Sequence, residues 1–142
     1  MSQAHPNSLT KAERLRGKRA IDALFQAGHK GVTVYPLRAV CAFYPATPHT
    51  PHAAILIAVS KHKIKRAVGR NRVKRQVREA YRTNKHALVA ALEAAALRVD
   101  IAFIWLAPTP LPTDRVEASL KTILCRIAER ATRHITPKVT HP

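Results

Sequence analysis

The sequence predicts an α+β domain in which helices pack on one central sheet. Two kinds of apolar pattern support this class, since alternating or continuous short runs predict strands and residues at helical spacing predict helices around them. Clusters of proline separate these segments. A chain of 142 residues is the size of one domain and can bury a core without disulfides or metals. We therefore expect a single domain over residues 1–142, with an ordered core at about 14–134 and polar tails at 1–9 and 136–142.

The first half of the chain predicts one helix and two or three strands. Apolar residues recur at helical spacing in Lys18–Gln26, and Gly28 suits the left-handed position that follows a helix. Residues 37–44 have the β-branched and aromatic content of a strand. Residues 53–60 are almost wholly apolar, as in a strand covered on both faces. Residues 32–35 leave room for an extra short strand.

The second half predicts a long basic helix, a strand and a final helix. Residues 67–97 contain no proline and could be helical throughout. One straight helix of that length would be roughly 45 Å long, whereas a globule of this size is only roughly 35–40 Å across. We therefore expect a break near residues 83–84. Residues 99–107 alternate as a strand, and 114–134 carry the apolar stripe of the last helix.

The charge of the chain points to a polyanionic partner. Its formal net charge is +17, and self-repulsion of that size weakens a compact state. Nucleic acid is the first interpretation and an acidic membrane surface the second. No apolar stretch is long enough to span a membrane, and we see no signal peptide, so a cytoplasmic protein without membrane contact is expected. Cys41 and Cys125 both fall in apolar patterns and are expected to be reduced core residues, with a disulfide as the weaker alternative.

The strongest functional signal is the segment 61–82, KHKIKRAVGRNRVKRQVREAYR. It holds ten of the 25 Lys and Arg residues, and Glu79 is its one acid. Helical spacing separates an apolar ridge, including Val73, Val77 and Tyr81, from an outer face of cations. Guanidinium and ammonium groups suit phosphate, and crowding of like charges needs an external anion. We therefore predict that this segment is an RNA-binding helix and not a solvated basic face without a specific partner.

The sequence offers little for hydrolysis of RNA. Its eight acids are scattered, and it contains no P-loop, nucleophile elbow or zinc-protease motif. His49 and His52 come nearest to a metal pair, but a proline-rich loop without further ligands favours solvent exposure. Gly69 either permits close approach of a phosphate or is simply tolerated in the helix. We predict no catalytic residue and no metal site in the protein.

Residues 70–79, RNRVKRQVRE, closely resemble the RNR signature of the bacterial ribonuclease P protein subunit. The context agrees, because an apolar strand ending at residues 59–61 precedes the signature and residues 24–28 resemble the end of the family's first helix. The resemblance covers about residues 14–134. It implies a central mixed β-sheet of about four strands with three helices. It also implies a left-handed β-α-β crossover through the basic helix, although the physical default is right-handed.

The same resemblance implies a role in tRNA processing. In this family a catalytic RNA removes the 5′ leader of precursor tRNA, and the protein binds that RNA and the single-stranded leader. The implied partners are therefore the ribonuclease P catalytic RNA and the precursor tRNA 5′ leader. Mg²⁺ would be bound mainly by the RNA, with no organic cofactor, and the protein would be monomeric in the complex. A ribosomal or RNA-chaperone protein with the same basic helix is one rival, and a protein-only nuclease is another.

Two sets of site residues follow. The RNA-binding set is Lys61, Lys63, Lys65, Arg66, Arg70, Asn71, Arg72, Lys74, Arg75 and Arg78. The set that the resemblance assigns to the leader cleft is Ile21, Phe25, Cys41 and Phe43, with plain core residues as the alternative. Ile21 and Cys41 stand where many relatives place an aromatic residue, so weaker stacking on the leader is expected. We also expect Arg70→Ala and Arg75→Ala to weaken RNA binding while leaving the fold intact.

Overall fold

One mixed sheet of four strands organises the protein. The computed structural model describes residues 9, 11–15, 17–26 and 31–139, with side chains described as far as 133. The strands are β1 (Gly31–Val34), β2 (Leu37–Pro45), β3 (Ala53–Ala58) and β4 (Leu97–Trp105). They lie in the order β1-β2-β4-β3, antiparallel except for the parallel pair of β3 and β4. The sheet and the extra strand before β2 are thus confirmed, whereas the handedness of the crossover stays a prediction.

Four α-helices and a short 3₁₀ helix accompany the sheet. The 3₁₀ helix spans Lys11–Glu13, and the α-helices are α1 (Lys18–Gln26), α2 (Ala67–Asn84), α3 (His86–Ala95) and α4 (Thr113–Val139). The resemblance implied three helices. The fourth arises because the long helix breaks at Lys85, next to the predicted position, so that α3 turns back onto the core instead of projecting into solvent.

The two faces of the sheet carry different helices. Cys41 of β2 and Phe103 of β4 belong to the main core together with buried residues of α2, α3 and α4. The intervening residues, such as Val40 and Ala102, point the other way and pack with Leu24 of α1. Alternation in the sequence shows that β2 has two apolar faces, but not which helix covers each.

The apolar ridges predicted for the helices are confirmed. In α2 the residues Val73, Val77, Ala80 and Tyr81 are all buried, and the Tyr81 ring lies 6.1 Å from the ring of Phe103. The stripe of α4 is buried as well. This helix extends to Val139, so the predicted end at residue 134 is too early. An apolar stripe marks the turns that pack on a core, so its last residue does not show where the helix ends.

The two cysteines differ in their burial. Cys41 is buried as predicted, but Cys125 is exposed, because α4 turns Leu124 and Ile127 inward and leaves Cys125 on its outer side. Gly28 lies outside the described residues. None of the described helices is long and apolar enough to cross a membrane.

The segment before α1 lies along the outer edge of β3. The Leu15 N–H donates to the Ile55 carbonyl at 2.7 Å. The Lys85 ammonium donates to the Glu13 carboxylate at 2.6 Å, and these two side chains are only 9% and 13% exposed. Residues 11–15 are therefore fixed both to the sheet edge and to the junction between α2 and α3.

Candidate nucleic-acid interface

Helix α2 presents a cationic outer face opposite its buried ridge. Arg72 and Arg75 are exposed, and Lys74 and Arg78 are half-buried along one side of the helix. Glu79 is the one acid of α2, and its carboxylate lies 2.8 Å from the Arg82 guanidinium. Hydrogen bonding by Arg82 lowers the pKa of Glu79, so this acid is ionised and engaged with Arg82.

The loop before α2 adds a second group of cations. Its four cations are exposed, namely Lys61, Lys63, Lys65 and Arg66. Ile64 is buried and anchors the loop, and its N–H donates to the Ser60 carbonyl at 3.0 Å. A Cβ atom on Gly69 would lie 2.7 Å from Cγ2 of Ile64. Neither of the two interpretations offered for Gly69 is needed, because close packing against Ile64 explains the glycine.

Arg70 points back to this loop. Its Nη1 donates to the carbonyls of Ile64 at 3.0 Å and Lys65 at 2.6 Å. Arg70→Ala is therefore expected to cost some stability as well as RNA affinity, and whether the fold stays intact remains a prediction. Helical spacing placed Arg70 on a ridge with Lys74 and Arg78 but could not show that its side chain reaches the preceding turn.

None of the predicted RNA-binding cations forms an ion pair with a carboxylate among the described residues, although Arg78 lies close enough to Glu79 to help lower the pKa of that acid. The ion pairs in this part of the chain are Arg82–Glu79, Lys85–Glu13 and Arg98–Asp100. Each of them lies outside the predicted set. Nine cations, together with the exposed amide of Asn71, thus form one surface that the described acids do not neutralise. Such a surface is suited to binding a polyanion.

The four residues assigned to the leader cleft do not come together. Ile21 and Phe25 lie on α1, where Phe25 is 45% exposed. Cys41 and Phe43 lie with the main core on the opposite face of the sheet. Alternation in β2 separates the two pairs, so one cleft cannot be lined by all four. Burial raises the pKa of the Cys41 thiol, and the Arg130 guanidinium lies 3.8 Å from its sulfur.

The sheet face toward α1 carries a polar cluster that sequence reasoning missed. The Arg98 guanidinium lies 4.4 Å from the centre of the Tyr44 ring and 3.4 Å from the Asp100 carboxylate. Burial raises the pKa of Asp100. Alternation could have placed these residues on one face, but only the position of α1 shows that this face is the one beside Phe25.

A second missed feature is a groove of about 270 Å³ beside β3, which we call the β3 groove. The cations Arg14, Lys74 and Arg78 line it, together with apolar residues of β3 and of the segment before α1. Arg14 is one of several cations in its stretch of sequence, with Lys11, Arg16, Lys18 and Arg19, so no local pattern singles it out. Of the two histidines that came nearest to a metal pair in the sequence, His49 is exposed, and Nδ1 of His52 lies 2.9 Å from the carbonyl oxygen of Leu97.

Comparisons with known proteins agree with this geometry. The family model of ribonuclease P matches residues 9–128. The chain is 42% identical over 122 residues to the ribonuclease P protein component of Porphyromonas gingivalis, covering 84% of this chain and 86% of that one. It is 36% identical over 132 residues to the corresponding protein of Chlorobaculum tepidum, covering 87% and 85%.

A solved structure shows the same fold. The Staphylococcus aureus RNase P protein superimposes with a TM-score of 0.61 at 25% identity, covering 82% of this chain and 95% of that one. The match in sequence spans the basic loop, the RNR segment and both faces of the sheet. The chain therefore belongs to the family of ribonuclease P protein components.

Proposed function

We propose that this chain is the non-catalytic, RNA-binding subunit of ribonuclease P and assists its catalytic RNA in removing the 5′ leader from precursor tRNA. Family membership makes the chain a component of a complex that acts as an endoribonuclease in tRNA processing. The observation that carries the proposal is the cationic surface of α2 and the preceding loop, which no described carboxylate neutralises.

The basic surface is suited to the catalytic RNA. Arg72 and Arg75 are exposed on a helix whose other face is fixed in the core, so their guanidinium groups are presented from a rigid support. Binding to phosphates releases condensed counterions, which supplies most of the free energy of such contacts. If six to ten phosphates are contacted, affinity should fall by roughly three to five decades between low and moderate salt.

The leader is assigned to the face of the sheet beside α1. Ile21 and Phe25 on this helix supply apolar surface, and Tyr44 lies on the sheet face that α1 covers. An aromatic ring can stack on any unpaired base, which suits a leader of variable sequence. Cys41 and Phe43 are not part of this proposal because they pack on the opposite face.

The Mg²⁺ of the reaction is assigned to the RNA. The described residues bring together no group of three His, Cys, Asp or Glu side chains. The role of the protein is electrostatic, since its cations reduce repulsion between the catalytic RNA and its substrate. Less Mg²⁺ is then needed to hold the two RNAs together.

Reconstitution tests the proposal. Precursor tRNA cleavage by a bacterial ribonuclease P RNA is measured at low Mg²⁺, with and without this protein. We expect cleavage to increase on addition of the protein and to be absent with the protein alone. Binding of the RNA without any gain in cleavage would favour a ribosomal or chaperone-like role. Cleavage by the purified protein free of RNA would show a protein nuclease.

A further inference from the structure

We propose that the β3 groove is a binding site for a single unpaired RNA nucleotide. The inference rests on the proposed function, because it takes RNA as the partner, and it adds a defined subsite with a residue, Arg14, outside the predicted set. The groove lies at the edge of the sheet between the segment before α1 and helix α2, and is lined from both sides.

The groove combines an apolar floor with a cationic rim. Leu9 and Leu15 line it from the segment before α1, and residues 55–57 line it from β3. Arg14, Lys74 and Arg78 are the charged residues among the described ones that line it, and none of these lining residues is an acid. Its volume of about 270 Å³ is near the lower limit for ligand pockets, which suits one nucleotide and excludes a helix.

The position of Arg14 is fixed by its neighbours. On one side, the Glu13 carboxylate is held by Lys85 at 2.6 Å in a largely buried ion pair. On the other, the Leu15 N–H donates to the Ile55 carbonyl at 2.7 Å. The carboxylate next to Arg14 in sequence is therefore engaged with Lys85, and Arg14 is presented on a segment anchored at both ends.

The chemistry of the groove matches the two parts of a nucleotide. Lys74 and Arg78 are four residues apart on α2, and Arg14 lines the groove from the segment before α1, so a phosphate there can meet cations from two elements. A base can pack on the leucine and isoleucine side chains. Since Ile55 presents its carbonyl outward to Leu15, Ile57 presents its N–H and C=O to the same side, where a base edge can bond. A base within a duplex cannot enter such a groove.

The test compares a short single-stranded RNA with a duplex of equal length. Arg14→Gln removes a rim charge, Leu9→Trp fills the floor, and Arg126→Gln is the matched control, an exposed cation on α4 that does not line the groove. We expect both groove variants to lower affinity for the single strand by about tenfold and for the duplex by less than about twofold. The control should change both by less than about twofold. Circular dichroism and urea midpoints verify that each variant is folded.

Several outcomes would overturn the nucleotide site. Equal losses for single strand and duplex would make Arg14 a general phosphate contact. Unchanged RNA affinities in both folded groove variants would show that the groove does not bind RNA. Competition by a poly-glutamate peptide as strong as that by single-stranded RNA would assign the groove to an acidic polypeptide. If the wild-type protein binds no RNA at all, the proposed function itself fails, which is a separate result.

A crosslinking experiment identifies the source of the nucleotide. A short photoreactive reagent is attached to the thiol that Leu9→Cys introduces at the groove, in a Cys125→Ser background that removes the exposed native thiol. Cys41 is buried and should not react with the reagent. In the reconstituted complex with precursor tRNA, a crosslink to a single-stranded position of the catalytic RNA or to the leader supports the site and names its occupant. Crosslinks confined to paired positions, or none to RNA, would contradict it.

Discussion

The cations at the two ends of α2 differ in whether they form ion pairs within the protein. At the carboxyl end Arg82 is paired with Glu79, and Lys85, just beyond the helix, is paired with Glu13. Over the first three turns, Arg72 and Arg75 have no described carboxylate partner. Acids therefore lie beside cations that form ion pairs within the fold, and the described acids do not lie beside cations that can bind an external anion.

The largest effect is expected where the pairing is buried. Lys85→Met would remove an ion-pair partner from the largely buried Glu13 carboxylate and should lower the free energy of unfolding by about 3 kcal/mol. Urea denaturation measures this. The double variant Glu13→Gln/Lys85→Met should recover most of the loss, because it removes the buried negative charge as well. A Lys85→Met protein as stable as wild type would show that the pair does not hold residues 11–15 in place.

Arg70 is expected to behave as an intermediate between the two ends. Arg70→Ala removes donation to the carbonyls of Ile64 and Lys65, and should lower the free energy of unfolding by about 1–2 kcal/mol. It should also weaken binding of the catalytic RNA, because the loop that carries Lys63 and Lys65 loses its support. Urea denaturation and RNA titration are measured together, with Arg70→Lys as the conservative control. Weakened binding at unchanged stability would make Arg70 a direct RNA contact.

Arg75 tests the unpaired end. Arg75→Ala should leave the free energy of unfolding within about 0.5 kcal/mol of wild type, since the side chain is exposed and unpaired among the described residues. Affinity for the catalytic RNA should fall by about tenfold, and the slope of log affinity against log salt should decrease by about one. Arg126→Ala on α4 is the control. A loss that does not depend on salt would argue against a phosphate contact.

The smallest effect concerns the third ion pair, Arg98–Asp100. Burial raises the pKa of Asp100 in the folded state, so the folded protein binds this proton more tightly than the unfolded chain does. The contribution of Asp100 to stability is therefore lost as pH rises through the folded-state pKa. Asp100→Asn should be slightly more stable than wild type near neutral pH, and the difference should vanish below the ordinary value of 3.8. Unfolding measured at both pH values checks this, and a variant less stable at neutral pH would contradict it.

The sequence predicted the elements of this fold better than their arrangement. Periodicity located α1, the basic helix and the last strand, because each pattern reflects burial along one element. The break at Lys85 also followed from length alone. The placement of α1 did not, because two apolar faces of β2 look alike in the sequence. The resemblance grouped Cys41 and Phe43 with Ile21 and Phe25, and the sheet separates the two pairs.

The candidate site shows the same limit. The cations of 61–78 were found because they are close in sequence and spaced for one helix. Arg14 was missed because it reaches the β3 groove only through the pairing of Leu15 with Ile55, a contact between residues forty positions apart. The inward turn of Arg70 was missed because residue spacing fixes where a side chain begins, not where its end binds.

The hydrogen bond from Leu15 to Ile55 has a consequence beyond the RNA surface. β3 is the last strand of the sheet, and an uncovered outer strand is a template on which another chain can add. By occupying that position, Leu15 blocks part of this template. The same few residues that bring Arg14 to the β3 groove thus also cover part of the edge at which a second chain could pair.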